Sequence, residues 1–395
     1  MSTISKPPVY VIALGGFALG MDAYATAGLI PMIGAAFAVP VAVAAQLVTA
    51  FTLAYGLGSP VCVALLPARH QRASLLLALA LFTLANVASA LAPDIVALLI
   101  FRAVAGVGAG VYLATGIAAS TALAPPERRG KSIAVIMGGM ASGTVLGVPL
   151  SLLLAQRFGW ASALWLVAAI GAAALIGLLL RLPALPVTPA VPLRAKLKLL
   201  GDGQVLGVLL VSLLAAVSSL GMYTYFAPFL AEANPGASVV PYLWAWGVGG
   251  VLGSFLIGPI ADRVRAAVLT LWIMAVLAIA LLLLPIIATF GAYLTMLPIA
   301  VWGAVGWALQ IPQNSELIRV RERQGGGNLA VALNGSTLYL GSAIGAALGG
   351  LLLLERTPAA TLAWAAGAVA ALGAGLQIAN LRRRPALTPC AEVQR

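Results

Sequence analysis

The sequence predicts an all-α integral membrane protein with twelve transmembrane helices in two pseudo-symmetric bundles of six. Three observations support this prediction: the composition, twelve long apolar segments, and glycine patterns shared by the two halves of the chain. Of the 395 residues, 62% are hydrophobic and 8% are charged. Soluble proteins contain about 25% charged residues, because their surfaces must be covered with polar groups. A chain this apolar is therefore expected to fold in lipid.

The twelve apolar segments lie between charged clusters and Pro/Gly turns. Each contains about 20 residues or more, which is the length that a helix needs to cross the hydrocarbon core. The first is longer than the apolar core of a cleaved signal peptide, so we expect it to remain as a helix. The predicted helices span residues 9–36, 44–66, 73–92, 95–123, 131–155, 160–181, 204–231, 238–261, 266–288, 291–315, 328–354 and 359–381.

Lysine and arginine predict the orientation of these helices. The two ends and every second loop contain 19 of the 22 basic residues, whereas the alternate loops contain only Arg157 and Arg356. Basic loops are retained on the cytoplasmic side of a membrane. We therefore predict a multi-pass protein of the bacterial inner membrane with both termini in the cytoplasm. The same distribution accounts for the net charge of +12 without a nucleic-acid partner.

The longest polar stretch divides the chain into two sets of six segments. It runs from Arg181 to Gln204 and contains four prolines followed by three basic residues. The predicted division is an N-terminal six-helix bundle at 1–182, a cytoplasmic linker at 183–203, a C-terminal six-helix bundle at 204–381 and a cytoplasmic tail at 382–395.

A glycine stripe in the fifth segment recurs in the eleventh. Gly143 and Gly147 are matched, at an offset of 198 residues, by Gly341 and Gly345. The echo indicates duplicated halves, a common plan in transporters. Glycines four residues apart let a neighbouring helix approach closely, and Pro149 permits a kink. We expect close packing here, with a role in conformational change as the further hypothesis.

Two charged residues lie deep in the apolar segments, Asp22 in the first and Arg102 in the fourth. A charge at the bilayer centre costs about 2.5–3.5 kcal/mol on insertion scales, so such residues are functional candidates. We predict that Asp22 and Arg102 communicate within the first bundle and that Asp22 binds and releases a proton. The alternatives are a static ion pair or a carboxyl group neutralised by hydrogen bonds.

Polar and aromatic side chains within the segments predict a binding surface. Tyrosine and tryptophan often only anchor helices at the headgroups, and this alternative suits Tyr242, Trp244 and Trp246 better. Tyr223 and Tyr225 lie about 200° apart on a helix, so we expect only one of them to face a cavity. The substrate-binding candidates are Asp22, Thr26, Gln46, Tyr55, Tyr223, Tyr225, Trp307, Gln310, Asn334 and Tyr339.

The sequence shows no motif for catalysis or for metal binding. It lacks the glycine-rich phosphate loop that ends in Gly-Lys-Ser/Thr, so ATP is not expected to supply the energy. The two cysteines and the single histidine do not form a set of metal ligands. We therefore expect no enzymatic activity, no metal and no cofactor. One chain is expected to suffice as a monomer.

Several of these motifs resemble the major facilitator superfamily. More narrowly, they resemble its bacterial twelve-helix drug:proton antiporter family, in the branch that includes sugar- and nucleoside-efflux proteins. The segment from Arg102 to Gly108 resembles the motif that this family ties to proton transfer, and the segment from Gly143 to Pro149 resembles its antiporter motif. The start of the first segment, Phe17 to Asp22, and the Tyr223-Thr-Tyr225 element also resemble this branch.

One family feature is degraded in this chain. The loop after the second segment lacks the aspartate of the superfamily's loop motif, whereas the equivalent loop in the second half keeps it as Asp262-Arg263. The glycine pattern and the resemblance together imply a set of residues with a role in conformational change. They are Gly106, Gly108, Gly143, Gly147, Pro149, Asp262, Arg263, Gly341 and Gly345.

The resemblance implies the major facilitator fold and a function in transport. It implies a secondary active transporter that exports a small organic molecule, such as a drug, sugar or nucleoside, in exchange for protons by alternating access. A proton-independent facilitator and an uptake symporter remain alternatives, because the helix pattern does not fix the direction of transport. A sensor or scaffold on the same fold remains the alternative from another class.

Overall fold

The computed structural model describes residues 8–66, 70–185, 194, 199–321, 326–355 and 357–383. Within these ranges the regular secondary structure is entirely helical. Twelve of the described helices are long and apolar enough to cross a membrane. Most of the predicted linker, at 186–193 and 195–198, and most of the predicted tail, at 384–395, lie outside the described residues.

We number the twelve spanning helices α1 to α12 in chain order. Those of the first half are α1 Val9–Ala36, α2 Val41–Leu65, α3 Gln71–Ala90, α4 Ile95–Leu123, α5 Arg129–Phe158 and α6 Ala161–Arg181. Those of the second half are α7 Gly203–Thr224, α8 Val240–Ala261, α9 Ala266–Ala288, α10 Ala292–Arg321, α11 Gly327–Leu354 and α12 Ala359–Arg383.

Two helices differ clearly from their predicted limits. The predicted 204–231 segment is interrupted at Tyr225, so that α7 ends at Thr224 and a short helix, Phe226–Ala233, follows it. Helix α10 continues past the predicted end at residue 315 as far as Arg321. Its last turns are polar and contain an ion pair between Glu316 and Arg319. A prediction from hydropathy alone therefore ends this helix too early.

Prolines shape α2 and α5 in the same way. A π-helical turn occupies Ala54–Gly58 in α2 and Gly143–Gly147 in α5, and a proline follows each turn, Pro60 and Pro149 respectively. Proline has no N–H, and its ring clashes with the carbonyl group four residues earlier. A π-helical turn spreads the hydrogen bonds at that point and accommodates the ring.

The two halves pack by the same plan. In the first half α1 contacts α5 and α6, α3 contacts α4 and α6, and α2 contacts α4. In the second half α7 contacts α11 and α12, α9 contacts α10 and α12, and α8 contacts α10. Each contact of one half thus recurs six helices later, which is the pseudo-symmetry that the glycine echo predicted. Helix α11 packs against α2, and α8 packs against α5, to join the bundles.

The matched glycines lie at matched helix contacts. Gly143 on α5 faces the backbone carbonyl group of Phe17 on α1, and its match Gly341 on α11 faces that of Leu213 on α7. A Cβ atom at either glycine would clash with this backbone. The predicted close packing is confirmed, while the role in conformational change stays a prediction.

Candidate functional site

The two charges deep in the first bundle form a direct ion pair. The guanidinium Nη1 of Arg102 on α4 lies 2.6 Å from Oδ1 of Asp22 on α1. Both side chains are buried, with exposed fractions of 2% and 1%. Asn86 on α3 completes the group, because it accepts from Arg102 Nη1 at 3.2 Å and donates to Asp22 Oδ2 at 3.4 Å. Three helices therefore meet at one charged cluster.

Local packing fixes the orientation of Arg102. Its guanidinium carbon lies 4.7 Å from the centre of the Phe51 ring on α2, within the range of a cation–π contact. One turn further along α4, Gly106 faces the backbone of Phe51, and this close approach brings the ring under the guanidinium group. Nη2 of Arg102 also lies 3.5 Å from the backbone carbonyl oxygen of Asp22, so the arginine contacts both the carboxylate and the main chain of α1.

The Asp22–Arg102 pair links α1 to α4 through opposite charges. Inside a membrane protein, two charges are tolerated when they neutralise each other and their remaining hydrogen-bonding groups find partners. A proton on Asp22 would remove the counter-charge of Arg102 and weaken the link between α1 and α4. The charge of Asp22 therefore contributes to the contact between α1 and α4.

A cavity of about 310 Å³ lies between the two bundles. The first bundle lines it with Tyr24 of α1 and with residues of α5, and the second bundle lines it from α7 to α11. Its lining contains aromatic, amide, hydroxyl and aliphatic groups, and none of the described lining residues is charged. A volume of this size lies within the usual range of small-molecule pockets.

The cavity lies toward the helix ends that carry the Lys/Arg clusters, which we call the basic side. On the opposite side the bundles meet through an aromatic cluster of Tyr24, Tyr223 and Trp246. The ring of Tyr24 lies 5.3 Å from that of Tyr223 and 5.7 Å from that of Trp246, and the last two rings are 4.5 Å apart. The cavity is thus closed on one side by aromatic rings of both bundles in edge-on and tilted contact.

The predicted binding residues fall into two groups. Trp307, Gln310 and Asn334 line the cavity. The others do not line it in this conformation: Asp22, Thr26, Gln46, Tyr55, Tyr223, Tyr225 and Tyr339. Asp22 differs most from the predicted substrate contact, because its carboxylate is buried in the first bundle against Arg102 and Asn86.

The residues outside the cavity have structural contacts of their own. Tyr55 of α2 stacks on Tyr339 of α11 with ring centres 3.6 Å apart. Gln46 donates to the Ala42 carbonyl group at 3.0 Å within its own helix. Tyr225 donates to the carbonyl group of Ala346 on α11, whereas Tyr223 belongs to the aromatic cluster, so the two tyrosines do point to different neighbours.

The interpretation of Tyr242 and Trp246 as headgroup anchors is wrong. Both side chains are buried, with exposed fractions of 2%, and Trp246 lines the cavity. Trp244 alone fits that interpretation, because it is 38% exposed. Position near a helix end suggested an anchor, but neighbouring helices cover this part of α8.

Several cavity and site residues were missed by sequence reasoning. Asn86 is a lone amide in an apolar segment, and that signal could have identified it. Ser212 lines the cavity without belonging to a motif. Glu316 on α10 is a further buried carboxylate, 3% exposed and paired with Arg319 at 2.6 Å near the basic side. Within the described chain, no group of three His, Cys, Asp or Glu residues could hold a metal ion.

Comparisons with known proteins agree on one family. The Major Facilitator Superfamily profile matches residues 12–325. The chain is 30% identical over 351 residues to the inner membrane transport protein YdhP of Escherichia coli K12, with 88% of each chain covered. It is 31% identical over 268 residues to a chloramphenicol resistance protein of Streptomyces lividans, covering 66% of this chain and 68% of that protein.

The fold also matches solved transporter structures. A partially occluded, inward-open conformation of the E. coli xylose transporter XylE superposes with a TM-score of 0.72 at 16% identity, covering 95% of this chain and 97% of that chain. At this identity the likeness concerns the fold alone.

Proposed function

The chain belongs to the major facilitator superfamily, and from this premise we propose that it is a proton-coupled antiporter that exports a small organic molecule. The observation that carries the proposal is the buried Asp22–Arg102–Asn86 cluster beside a cavity that contains no charge of its own. Efflux is also the activity in the name of one relative, a probable sugar efflux transporter of Mannheimia succiniciproducens, and another relative is named for chloramphenicol resistance.

Helix α1 supplies the physical link between proton and substrate. Asp22 holds the proton-binding group, and Tyr24, two residues further on, lines the cavity and contacts Tyr223 and Trp246 of the second bundle. A change in the Asp22–Arg102 contact therefore acts on the same turn of helix that closes the cavity. We assign Asp22 as the proton carrier and Arg102 as its modulator.

The described conformation suits one step of an antiport cycle. The Asp22–Arg102 ion pair is intact, and the cavity lies toward the basic side, which the Lys/Arg distribution predicts to be cytoplasmic. This combination is ready to load substrate from inside. After the bundles rock and substrate leaves on the outer side, a proton reaches Asp22 and separates the pair; its release inward restores the state described.

The glycine contacts suit the same rocking motion. Close backbone packing of α5 on α1 and of α11 on α7 leaves smooth surfaces on which helices can turn. We propose that Gly106, Gly143, Gly147 and Gly345 serve this purpose. The division into bundles at residues 1–182 and 204–381, and function as a monomer, belong to the same proposal.

The decisive experiment replaces Asp22 by Asn in proteoliposomes that contain a pH-sensitive dye. The substrate is the compound that a thermal-shift screen of antibiotics, sugars and nucleosides identifies, since ligand binding raises stability. We expect substrate-driven proton movement to fall to the background of empty liposomes. Asp94→Asn is the matched control, because Asp94 caps α4 outside the ion pair and Asn is an equally good cap.

Two outcomes would overturn the proposal. Wild-type proton movement in the Asp22→Asn protein would remove Asp22 from the coupling. A wild-type flux that is indifferent to an uncoupler would instead identify a facilitator.

A further inference from the structure

Four buried polar atoms in the cavity have no hydrogen-bond partner in the described protein. They are Oγ of Ser212, Nε1 of Trp246, Nε2 of Gln313 and Oδ1 of Asn334. All four residues line the cavity, and none is more than 2% exposed. Buried polar groups in proteins are almost always hydrogen-bonded, because an unpartnered one retains its full desolvation penalty. Four of them around one cavity indicate a ligand that supplies the missing partners.

Three of the four unpartnered groups lie at a different level of the cavity from the aromatic residues, and the fourth is the indole N–H of Trp246. Ser212, Gln313 and Asn334 lie seven to nine residues from the basic-side ends of α7, α10 and α11. The aromatic level consists of Tyr24, Trp246 and Trp307, each 14 or 15 residues from the basic-side end of its helix. At the helical rise of 1.5 Å per residue, the three polar residues lie about 10 Å closer to the basic side than these aromatic residues.

The walls between these levels are mainly apolar, with the amide of Gln310 as a polar group among them. Met140 of α5 and Leu338 of α11 line the cavity there, and Met137 of α5 lies at the polar level. Methionine side chains adapt to flat apolar surfaces and make favourable contacts with rings. A sugar, with hydroxyl groups all round its ring, would leave several of them against these walls without partners.

The cavity also lacks a counter-charge for an ionic ligand. None of its described lining residues is charged, and Asp22 already binds Arg102 and Asn86. Placing an unpaired charge in a cavity of low dielectric is strongly unfavourable. A cation therefore has no carboxylate to bind here, and an anion has no basic side chain.

From these observations we propose that the substrate is a neutral, elongated amphiphile with an aromatic ring at one end and hydrogen-bonding groups, such as an amide or hydroxyls, at the other. The ring lies against Tyr24, Trp246 and Trp307, and the polar end faces Ser212, Gln313 and Asn334. This inference rests on the proposed function, which it deepens by naming the chemical class. Because the substrate carries no charge, exchange for one proton moves one net charge per cycle, and the membrane potential contributes to the driving force.

Calorimetric titration of the purified protein tests the inference. Three of the probes share a nitrophenyl ring and differ in charge. Chloramphenicol is neutral, its free-amine base is a cation and its succinate ester is an anion. Thiamphenicol and 4-nitrobenzamide are further neutral probes, and arabinose represents sugars. We expect the neutral aromatic probes to bind, and the charged forms to bind at least about 10-fold more weakly. Equal binding of either charged form, tighter binding of arabinose, or no binding of any neutral probe would overturn the inference.

A pair of serine variants on α7 locates the site. Ser212→Ala removes an unpartnered hydroxyl group of the cavity and should weaken chloramphenicol binding by about 2- to 10-fold, the usual value of one hydrogen bond. Ser218→Ala is the control, because Ser218 is equally buried but already donates to the carbonyl group of Ala215 at 2.9 Å and does not line the cavity. Equal effects of both variants would contradict the assignment.

The two proposals fail in different ways. Binding of neutral probes without proton-linked flux would overturn antiport and leave the chemical class standing. Proton-linked export of charged compounds alone would overturn the chemical class and leave antiport standing. An imposed potential, negative inside, should accelerate export of the neutral substrate at constant pH.

Discussion

The two bundles share one backbone plan but place different chemistry in it. On α4, Arg102 stands four residues before Gly106, which faces the Phe51 backbone; on α10, Ile299 stands four residues before Gly303, which faces the Trp246 backbone. The first bundle has a buried ion pair at this level, and the second has an apolar residue. At this position the halves thus differ, because the first contains a charged pair and the second does not.

What the second bundle has in place of the charge is a neutral aromatic network. Trp302 of α10 donates to Ser219 of α7 at 2.8 Å, and its ring lies 6.2 Å from that of Trp246. The unpartnered cavity atoms also lie in this half. The comparison favours our proposal that the first bundle binds the proton and the second binds the substrate. Tyr24 lies at the contact between the two bundles.

The largest predicted effect on this difference between the bundles comes from removing one charge of the Asp22–Arg102 pair. Arg102→Leu leaves Asp22 buried without its counter-charge, and we expect a loss of about 3–5 kcal/mol of stability, measured by thermal unfolding in detergent. The double variant Asp22→Leu/Arg102→Leu should recover most of this loss, because apolar residues resemble what the second bundle has there. Proton coupling should be absent in both.

The outcome of the double variant decides how the charges are used. Stability as low as that of Arg102→Leu alone would show that the cluster is not a self-contained pair. Arg157→Leu, on the outer end of α5, is the control for loss of an exposed arginine and should change stability by less than about 0.5 kcal/mol.

A second prediction tests the shared backbone plan. Gly143→Ala and Gly345→Ala each place a Cβ atom against the backbone of the partner helix, and we expect both to cost about 1–3 kcal/mol and to slow transport. Gly138→Ala, five residues before Gly143, meets nothing within 4 Å and is the control. Thermal unfolding and flux are measured for all three. A large effect in one bundle only would show that the symmetry does not extend to function.

The sequence predicted those features that depend on a single helix or on composition. Apolar length defined the helices, because lipid requires about 20 apolar residues per span, and charge in such a segment singled out Asp22 and Arg102. Features that depend on which helices become neighbours were missed. Trp246 has the sequence position of a headgroup anchor, and only the packing of α8 against other helices makes it a cavity residue.

The same reasoning explains why some predicted binding residues do not line the cavity in this conformation. Tyr55 and Tyr339 are polar aromatic residues within apolar segments, as a binding residue would be, but they face each other across the contact of α2 with α11. The unpartnered Ser212 could not be distinguished from Ser218 in the sequence, because serine often bonds to its own helix backbone, as Ser218 does.

The smallest predicted effect concerns a charge pair that the second bundle does have, at its surface. Asp202 precedes α7 and accepts hydrogen bonds from the N–H groups of Gln204 and Val205 and from Nη1 of Arg321 at 3.1 Å. Partial burial raises the pKa of Asp202, but these hydrogen bonds and the charge of Arg321 outweigh it, so its pKa lies below the ordinary value. The stabilisation is therefore fully present above the unfolded-state pKa of about 3.9 and is lost as pH falls through the lower folded-state pKa.

Asp202→Asn keeps the helix cap but removes the charge, and should lower stability at pH 7 by less than about 1 kcal/mol. The gap between wild type and variant in thermal unfolding should close below about pH 4. Asp94→Asn, the corresponding cap of α4, accepts only from the Ala97 N–H and has no ion pair among the described residues, so it should give a smaller gap. A gap at Asp202 that persists in acid would show that the cap, and not the charge, supports this end of α7. The second bundle would then depend on no titrating group here, and the contrast between the bundles would become sharper.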